Sequence, residues 1–195
     1  PNPDLYAPQI AHIGVSALTP NRFFVYFDES LNYTAFDDLS KFKVMLNGND
    51  LGNPSVISPD LPANKSATFY MPLAHPQMVE GNIYQLVITD TVADCVGNIV
   101  AFNSSEKFAL PETVEVGDII INELLSNPPA GGKDYVEVYN NSDKILNLGT
   151  MVLGTWDSTK NKIKNPKDIS YENHLIFPGG YYCLTTDPDA IKELY

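Results

Sequence analysis

Acidic and amide side chains are concentrated in short segments of the sequence, and this combination could bind calcium. Asp90, Asp94 and Asn98 lie close together and are the candidate calcium ligands. A second acidic group consists of Asp28, Glu29, Asp37 and Asp38. Calcium takes six to eight oxygen ligands, which loops of this composition often supply. The spacing matches no EF-hand, and the segment from Asp94 to Asn98 suits equally well a turn with side-chain-to-backbone bonds. Capping is therefore the favoured role, with calcium as the alternative.

Two glutamates could act as a general acid and a general base. Glu123 closes an apolar segment, and Glu137 lies in the middle of another. Paired carboxylates can perform such proton transfers. The alternative is that both satisfy hydrogen-bond donors at the edge of a sheet, and this structural role is the one we expect.

The histidines, serines and cysteines do not have the sequence spacing of a known catalytic or zinc-binding motif. His12, His75 and His174 are scattered, so only the fold could assemble them into a zinc site. No Gly-x-Ser-x-Gly motif and no P-loop occur. Cys95 and Cys183 lie in different predicted domains, where we expect no disulfide. Cys95 is predicted in a turn, and Cys183 as a small buried core residue. The sequence therefore predicts no catalytic residue, no resident metal and no cofactor.

A basic run offers a possible nucleic-acid contact. It consists of Lys160, Lys162, Lys164 and Lys167. Against that function, 12 basic and 24 acidic residues give a net charge of −12, and the run has no interleaved aromatic residues for base stacking. We expect a solvated loop here. Trp156 is a further candidate for contact, because an exposed tryptophan could stack on a sugar, but a core position is the one we expect.

Composition places the chain among folded proteins of one or two domains. It has 195 residues, of which 44% are hydrophobic. No apolar run approaches the roughly 20 residues that span a bilayer. The two cysteines exclude a disulfide-rich scaffold. The sequence begins Pro-Asn-Pro-Asp, without Met or a signal peptide, so we expect a segment of a longer protein whose signal was removed.

Short strands dominate the predicted secondary structure. They alternate with Gly, Pro and Asn, and the 15 prolines suit many turns. Strands are predicted at 23–27, 41–46, 67–71, 83–89, 118–124, 134–140, 145–148, 151–156, 175–177 and 181–185, with a hairpin from 99–102 to 106–110. Asn47-Gly48 indicates a tight turn. Helical structure is expected only at 34–40 and near the C-terminus, where Asp187 would cap a helix that begins at Pro188.

A boundary between two domains is predicted near residue 111. Pro111 to Val116 lacks a core pattern and resembles a linker. The first domain would span residues 1–110 and the second 117–195. Since no repeat relates the halves, they are predicted to be two different β domains.

The second domain resembles the lamin-tail family. The matching segments are Ile121-Asn122-Glu123, Asn127-Pro128, Asp134-Tyr135-Val136-Glu137-Val138-Tyr139-Asn140, Leu146-Asn147-Leu148 and Phe177-Pro178-Gly179-Gly180-Tyr181-Tyr182-Cys183-Leu184. The resemblance implies an immunoglobulin-like β-sandwich. Members of that family usually continue into a final pair of strands that this sequence lacks, so we expect a truncated domain with an unpaired sheet edge.

The first domain resembles the bacterial immunoglobulin-like domains of surface-layer and secreted proteins. The matching segments are Phe24-Val25-Tyr26-Phe27-Asp28-Glu29-Ser30-Leu31, Phe42-Lys43-Val44, Gly81-Asn82-Ile83-Tyr84-Gln85-Leu86-Val87-Ile88 and Asp94-Cys95-Val96-Gly97-Asn98. The expected fold class is thus all-β, with two tandem immunoglobulin-like β-sandwiches.

The two resemblances together imply a non-catalytic segment of a larger bacterial cell-surface or secreted protein. Its expected role is that of a spacer and an adhesion or binding module. Its partners would be domains of the same polypeptide, or surface glycans and proteins. The alternative is an accessory region of a secreted hydrolase or nuclease whose catalytic domain lies outside these residues.

Overall fold

The chain folds into antiparallel β-structure. In a computed structural model, residues 4–128, 131–170 and 174–194 are described. The chain divides into two compact units, Pro1–Pro111 and Glu112–Tyr195. Short antiparallel strands make up most of the regular structure in both units, and one α-helix occurs among the described residues. The predicted all-β fold class is confirmed.

The first unit is a sandwich of two four-stranded antiparallel sheets. One sheet has the order β1-β2-β6-β5 and the other the order β4-β3-β7-β8. The strands are β1 (Ile10–Val15), β2 (Arg22–Phe27), β3 (Phe42–Leu46), β4 (Asn49–Gly52), β5 (Val56–Pro59), β6 (Ser66–Tyr70), β7 (Tyr84–Ile88) and β8 (Ser105–Phe108).

Alternation along the strands builds the core of the first unit. In β2, Phe23, Val25 and Phe27 are buried, because every second side chain of a strand faces the same way. Phe23 stacks on Phe108 of the opposite sheet, with ring centroids 4.2 Å apart. Phe69 of β6 meets Phe42 of β3 edge-on at 5.0 Å. These aromatic contacts join the two sheets.

The second unit is built from smaller sheets. The three-stranded sheet has the order β15-β10-β9, and two further pairs are β11-β14 and β12-β13. The elements are β9 (Ile119–Leu125), β10 (Tyr135–Asn140), β11 (Leu146–Asn147), β12 (Val152–Asp157), β13 (Lys162–Asp168), β14 (Leu175–Ile176), β15 (Tyr181–Thr185) and α1 (Pro188–Leu194). The core is centred on Leu146, Leu148 and Ile176, against which Ile119, Met151, Ile169 and Tyr182 pack.

The segment predicted as a linker is bonded to the second unit. The backbone N–H of Glu112 donates to the carbonyl of Ile145 at 2.8 Å. The ammonium of Lys144 contacts the carboxylates of Glu115 and Asp118 at 2.8 and 3.0 Å. Residues 112–118 therefore pack as the beginning of this unit.

Two turns require glycine for different reasons. Asn47 and Gly48 have φ values of +49° and +82° and connect β3 to β4, which confirms the predicted tight turn. Between β14 and β15, Gly179 has φ +72°. A Cβ at the next residue, Gly180, would lie 2.9 Å from the carbonyl oxygen of Phe177, so close packing excludes a side chain there.

Several local predictions were wrong. The expected hairpin from 99–102 to 106–110 is absent: Ile99 forms a bridge with Ala93, and β8 pairs with β7. By contrast, the helical structure predicted at 34–40 is confirmed as two short 3-10 helices, Tyr33–Phe36 and Leu39–Lys41. Three residues of the lysine run, Lys162, Lys164 and Lys167, lie on strand β13 rather than in a loop, and Lys160 lies in the turn before it. All residues of β13 are exposed, and its sequence has no apolar alternation.

The C-terminal helix agrees with its prediction. The backbone N–H of Ala190 donates to Asp187 Oδ1 at 3.2 Å, which is an N-cap bond, and the helix begins at Pro188. Tyr195 lies outside the described residues. No helix in the described part of the chain is both long and apolar enough to cross a membrane.

We expect Phe69→Ala to destabilise the first unit by about 3–5 kcal/mol, because it leaves a cavity between the two sheets. Phe69 is fully buried, whereas Phe102 is 72% exposed. Phe102→Ala is the matched control and should change the free energy of unfolding by about 0.5 kcal/mol or less. Urea titration followed by circular dichroism measures both variants. Equal effects of the two substitutions would contradict the assigned core.

Candidate functional site

Asp94 closes a turn with its own side chain. Its Oδ1 accepts hydrogen bonds from the backbone N–H groups of Val96, Gly97 and Asn98 at 2.8, 2.6 and 2.9 Å. Its Oδ2 accepts a bond from Asn98 Nδ2 at 2.8 Å. Asp90 is exposed and accepts a bond from the N–H of Thr91, outside this network. The structure therefore brings together Asp94 and Asn98, but not Asp90.

A cluster of three carboxylates forms around Asp94. One oxygen each from Asp4, Glu29 and Asp94 lies within 4.8 Å of the others. A bridge between Leu31 and Asp94 brings the segment after β2 to this turn. Sequence reasoning assigned Glu29 to a separate acidic group and overlooked Asp4, because residues so far apart in sequence carry no spacing signal.

The environments of these carboxylates shift their pKa values in opposite directions. Burial acts to raise the pKa of Asp94, but its hydrogen bonds with Asn98, Val96 and Gly97 outweigh this and hold the pKa below its ordinary value. Burial raises the pKa of Glu29, and the carboxylates of Asp4 and Asp94 raise it further. Since Asp94 is already saturated with donors and calcium takes six to eight oxygens, the geometry favours capping.

Two further acidic residues of the sequence, Asp28 and Asp38, also cap backbone groups. Asp38 Oδ1 accepts bonds from the N–H and hydroxyl of Ser40 at 2.8 and 2.7 Å. Asp28 Oδ1 accepts a bond from the N–H of Gln9 at 2.8 Å. Asp37 lies at the C-terminal end of the first 3-10 turn.

Glu123 and Glu137 are direct neighbours across β9 and β10. Their Cα atoms are paired in the antiparallel ladder. The hydroxyl of Tyr135 donates to Glu123 Oε1 at 2.6 Å, and Asn122 Nδ2 donates to Glu137 Oε1 at 2.7 Å. Each carboxylate thus accepts a hydrogen bond from a neutral donor on an exposed face of the sheet. This arrangement supports the structural role over acid–base chemistry.

Both cysteines are free and exposed. The prediction of a buried Cys183 was wrong, because this residue is paired with Glu137 on the sheet face that carries the two glutamates. Partial desolvation of its sulfur, followed by the charges of Glu137 and Glu123, raises the pKa of the Cys183 thiol. A raised pKa keeps the thiol protonated at neutral pH, which makes it a poor nucleophile. Cys95 Sγ contacts the carbonyl oxygen of Leu31 at 3.6 Å.

Two of the histidines pack against tyrosine rings, one in each unit. His12 lies parallel to Tyr26 with ring centroids 4.3 Å apart, and His174 lies 4.6 Å from the ring of Tyr182. The third, His75, donates its backbone N–H to the carbonyl of Pro72. The described geometry does not place any of them in a group of metal-ligating side chains.

The hairpin of β12 and β13 presents two different surfaces. Trp156 is paired with Ile163, and the two side chains are 59% and 45% exposed. The prediction that Trp156 lies in the core was wrong. Lys162, Lys164 and Lys167 are paired with Asp157, Thr155 and Leu153, which places these lysines on the opposite face of the hairpin.

An open apolar groove of about 690 Å³ lies in the second unit. Its lining includes Leu124, Val136, Leu153, Ile169, Tyr182 and Leu184. The paired residues Leu124, Val136 and Leu184 form one row across the three-stranded sheet. This row extends the apolar side of the sheet beyond the core.

Asn140 is the buried polar anchor of the second unit. It ends the segment Asp134 to Asn140 and is 1% exposed. Its Nδ2 donates to the carbonyls of Lys144 and Ile176 at 2.8 and 3.1 Å. Its Oδ1 accepts bonds from the N–H and hydroxyl of Ser142. One side chain therefore joins β10, the turn that follows it, and β14.

Taken together, these contacts define an all-β protein of two units, in which the candidate residues stabilise turns and strands by hydrogen bonds. No family model matches the sequence, and no curated protein matches it. The lamin-tail resemblance is therefore not confirmed.

Similar solved structures are fragments of a bacterial S-layer protein. The S-layer protein rSbsC(31-844) has a TM-score of 0.46 and 13% identity over 92% of this chain and 32% of that one. The N-terminal part of SbsC has a TM-score of 0.45 and 16% identity over 92% and 44%. SbsC domains 1–6 have a TM-score of 0.41 and 13% identity over 93% and 32%. The chain spans less than half of each of these chains.

We expect Glu29→Gln to raise the urea midpoint of the first unit at neutral pH. Burial and the neighbouring carboxylates raise the pKa of Glu29 in the folded state, so its ionised form is destabilising there. A neutral amide removes both the desolvation of a charge and the repulsion from those carboxylates. The gain should disappear as the pH falls through the ordinary range for glutamate, where the native side chain is protonated in both states. Glu80→Gln, at an exposed site, is the matched control. If the variant instead loses stability in calcium but not in chelator, calcium binding replaces capping.

We expect Asn140→Ala to destabilise the second unit by about 1–3 kcal/mol, since buried hydrogen-bonding groups lose their partners. Asn141→Ala is the matched control, because Asn141 is exposed and its amide makes one long bond of 3.4 Å to Gly117. Thermal unfolding of both variants measures the difference. An equal loss of stability in the two would contradict the anchoring role of Asn140.

Proposed function

We propose that this chain is a non-catalytic structural and interaction segment of a larger bacterial cell-surface or secreted protein. Its two β units serve as a spacer and as a module for adhesion or binding. The observation that carries the proposal is that the side chains which could perform chemistry form structural hydrogen bonds instead. Asp94, Glu123 and Asn140 form hydrogen bonds that hold turns and strands together.

The first unit serves as a bacterial immunoglobulin-like domain in this proposal. The segment from Phe24 to Leu31 supplies β2 and the chain that bridges to Asp94. Asp94 to Asn98 forms a closed turn through side-chain bonds. Both features support the resemblance seen in the sequence, in which the same segments carry the match.

The second unit serves as a lamin-tail-like domain. The two most characteristic segments of the resemblance form the neighbouring strands β9 and β10, joined through Glu123 and Glu137. The Pro178-Gly179-Gly180 turn leads into β15, which pairs with the other side of β10. The matching segments thus form one sheet, and this supports the proposal that the second unit is a lamin-tail-like domain.

A spacer works by resisting unfolding while it holds other groups away from the cell. The interlocked phenylalanines of the first unit suit that role, because separating the sheets exposes a large apolar area. Binding would use exposed side chains of the second unit. Trp156 is the leading contact for a surface glycan, since an exposed indole ring can stack on the apolar face of a sugar.

We expect an antibody raised against this chain to detect, in fractionated source cells, a protein of the envelope or the medium larger than 195 residues. A cytosolic marker protein blotted on the same fractions is the control for lysis. A cytosolic band of this chain's own size would contradict the proposal. Hydrolase or nuclease activity that comigrates with the larger band, and is absent from the isolated 195-residue chain, would instead favour the accessory-region alternative.

A further inference from the structure

Strand β9 forms an open edge of the three-stranded sheet. It lies at the end of the order β15-β10-β9, so its outward N–H and C=O groups are available to another strand. Among the described residues, the backbone bonds of β9 run to β10, and none of the turn or loop bonds involves residues 119–125. Sheet edges of this kind recruit extended partners by strand addition.

The side chains of β9 do not shield this edge. Ile121 and Leu124 are 60% and 65% exposed, and Ile120 is 40% exposed. The strand reads Ile-Ile-Ile-Asn-Glu-Leu-Leu and lacks the Lys and Pro residues with which proteins commonly protect an edge. Its exposed apolar side chains therefore lie beside unpaired backbone groups.

The ladder with β10 assigns each side chain of β9 to a face of the sheet. Ile121 and Leu124 are paired with Val138 and Val136, on the side that carries the core and the groove. Glu123 lies on the opposite side. Asn122 is the extra residue at the irregularity in register, and its bond to Glu137 places it on the same side as Glu123.

The side chains of β9 are complementary to the same strand read in reverse. From Ile120 to Leu125 the residues are, in order, two apolar, two polar and two apolar, so the pattern is the same in both directions. In an antiparallel pair, opposed residues share a face. Ile121 then faces Leu124 of a second copy, Ile120 faces Leu125, and Asn122 faces Glu123. Every pair joins residues from the same side of the sheet.

We propose that two copies of this chain associate through β9 in this register and form a continuous six-stranded antiparallel sheet. The interface has twofold symmetry, so each Asn122 amide can donate to Glu123 of the other copy. A register centred on Glu123 is excluded, because it would oppose two carboxylates beside both Glu137 side chains and place Ile121 opposite Leu125, from the other face. The proposal goes beyond the proposed function and does not depend on it.

Sedimentation velocity of the full chain over a concentration series tests the association. The wild type should pass reversibly from monomer to dimer, and Ile121→Lys should raise the dimer dissociation constant by roughly tenfold or more, because an added charge at an edge opposes strand pairing. Ile163→Lys is the matched control, since Ile163 is also an exposed strand isoleucine but lies in β13. A monomer at every concentration, or equal effects of both variants, would overturn the proposal.

Disulfide trapping tests the register and does not require the lysine variant to fold. Ile121→Cys and Leu124→Cys are each made with Cys95 and Cys183 replaced by serine. An equimolar mixture should form the mixed dimer, because opposed Cα atoms about 4.5–5.5 Å apart can form a disulfide. Either variant alone should not, since its own thiols would lie two ladder steps, or about 7 Å along the strand, out of register, and the spacing between the strands separates their Cα atoms further. Equal trapping in all three samples, or none in the mixture, would refute this register.

Discussion

Burial of phenylalanine between two sheets is the interaction on which the first unit depends. Each strand contributes alternate residues to one shared interior, so Phe23 and Phe69 from one sheet meet Phe108 and Phe42 from the other. Because the rings interlock, the two sheets are held at a fixed separation. The three backbone hydrogen bonds to Asp94 are local to its own turn, whereas the bridge from Leu31 to Asp94 joins segments that are distant in sequence.

The second unit has far less apolar surface to bury and relies more on polar anchoring. Its core is centred on Leu146, Leu148 and Ile176. Asn140 ties β10 to the turn that follows it and to β14 by hydrogen bonds at a buried site. Beyond this core the apolar row continues past Leu124 into an open groove, and β9 remains an edge.

Carboxylates in this protein serve mainly as hydrogen-bond acceptors for nearby donors. Asp94 and Asp38 accept from backbone N–H groups, and Glu123 accepts from a tyrosine hydroxyl. Where several of them converge, the pKa of Glu29 is raised, because burial disfavours its charged form and the neighbouring carboxylates of Asp4 and Asp94 have the same charge. The acidic residues that the sequence offered for catalysis or metal binding thus stabilise turns and strands. The surfaces that remain for partners are strand edges and exposed aromatic residues.

Local patterns in the sequence were sufficient for the all-β class, the Asn47-Gly48 turn, the Asp187 cap and most strands, because alternation, turn residues and caps act between neighbours in the chain. Strands β1, β4, β5 and β13 were missed, β13 because it has no apolar alternation. Tertiary structure decided that Asp4 and Glu29 meet Asp94, that Trp156 and Cys183 are exposed, and that β9 is an edge. These outcomes depend on which strands become neighbours, and strand pairing is a long-range property of the folded chain that no local spacing encodes.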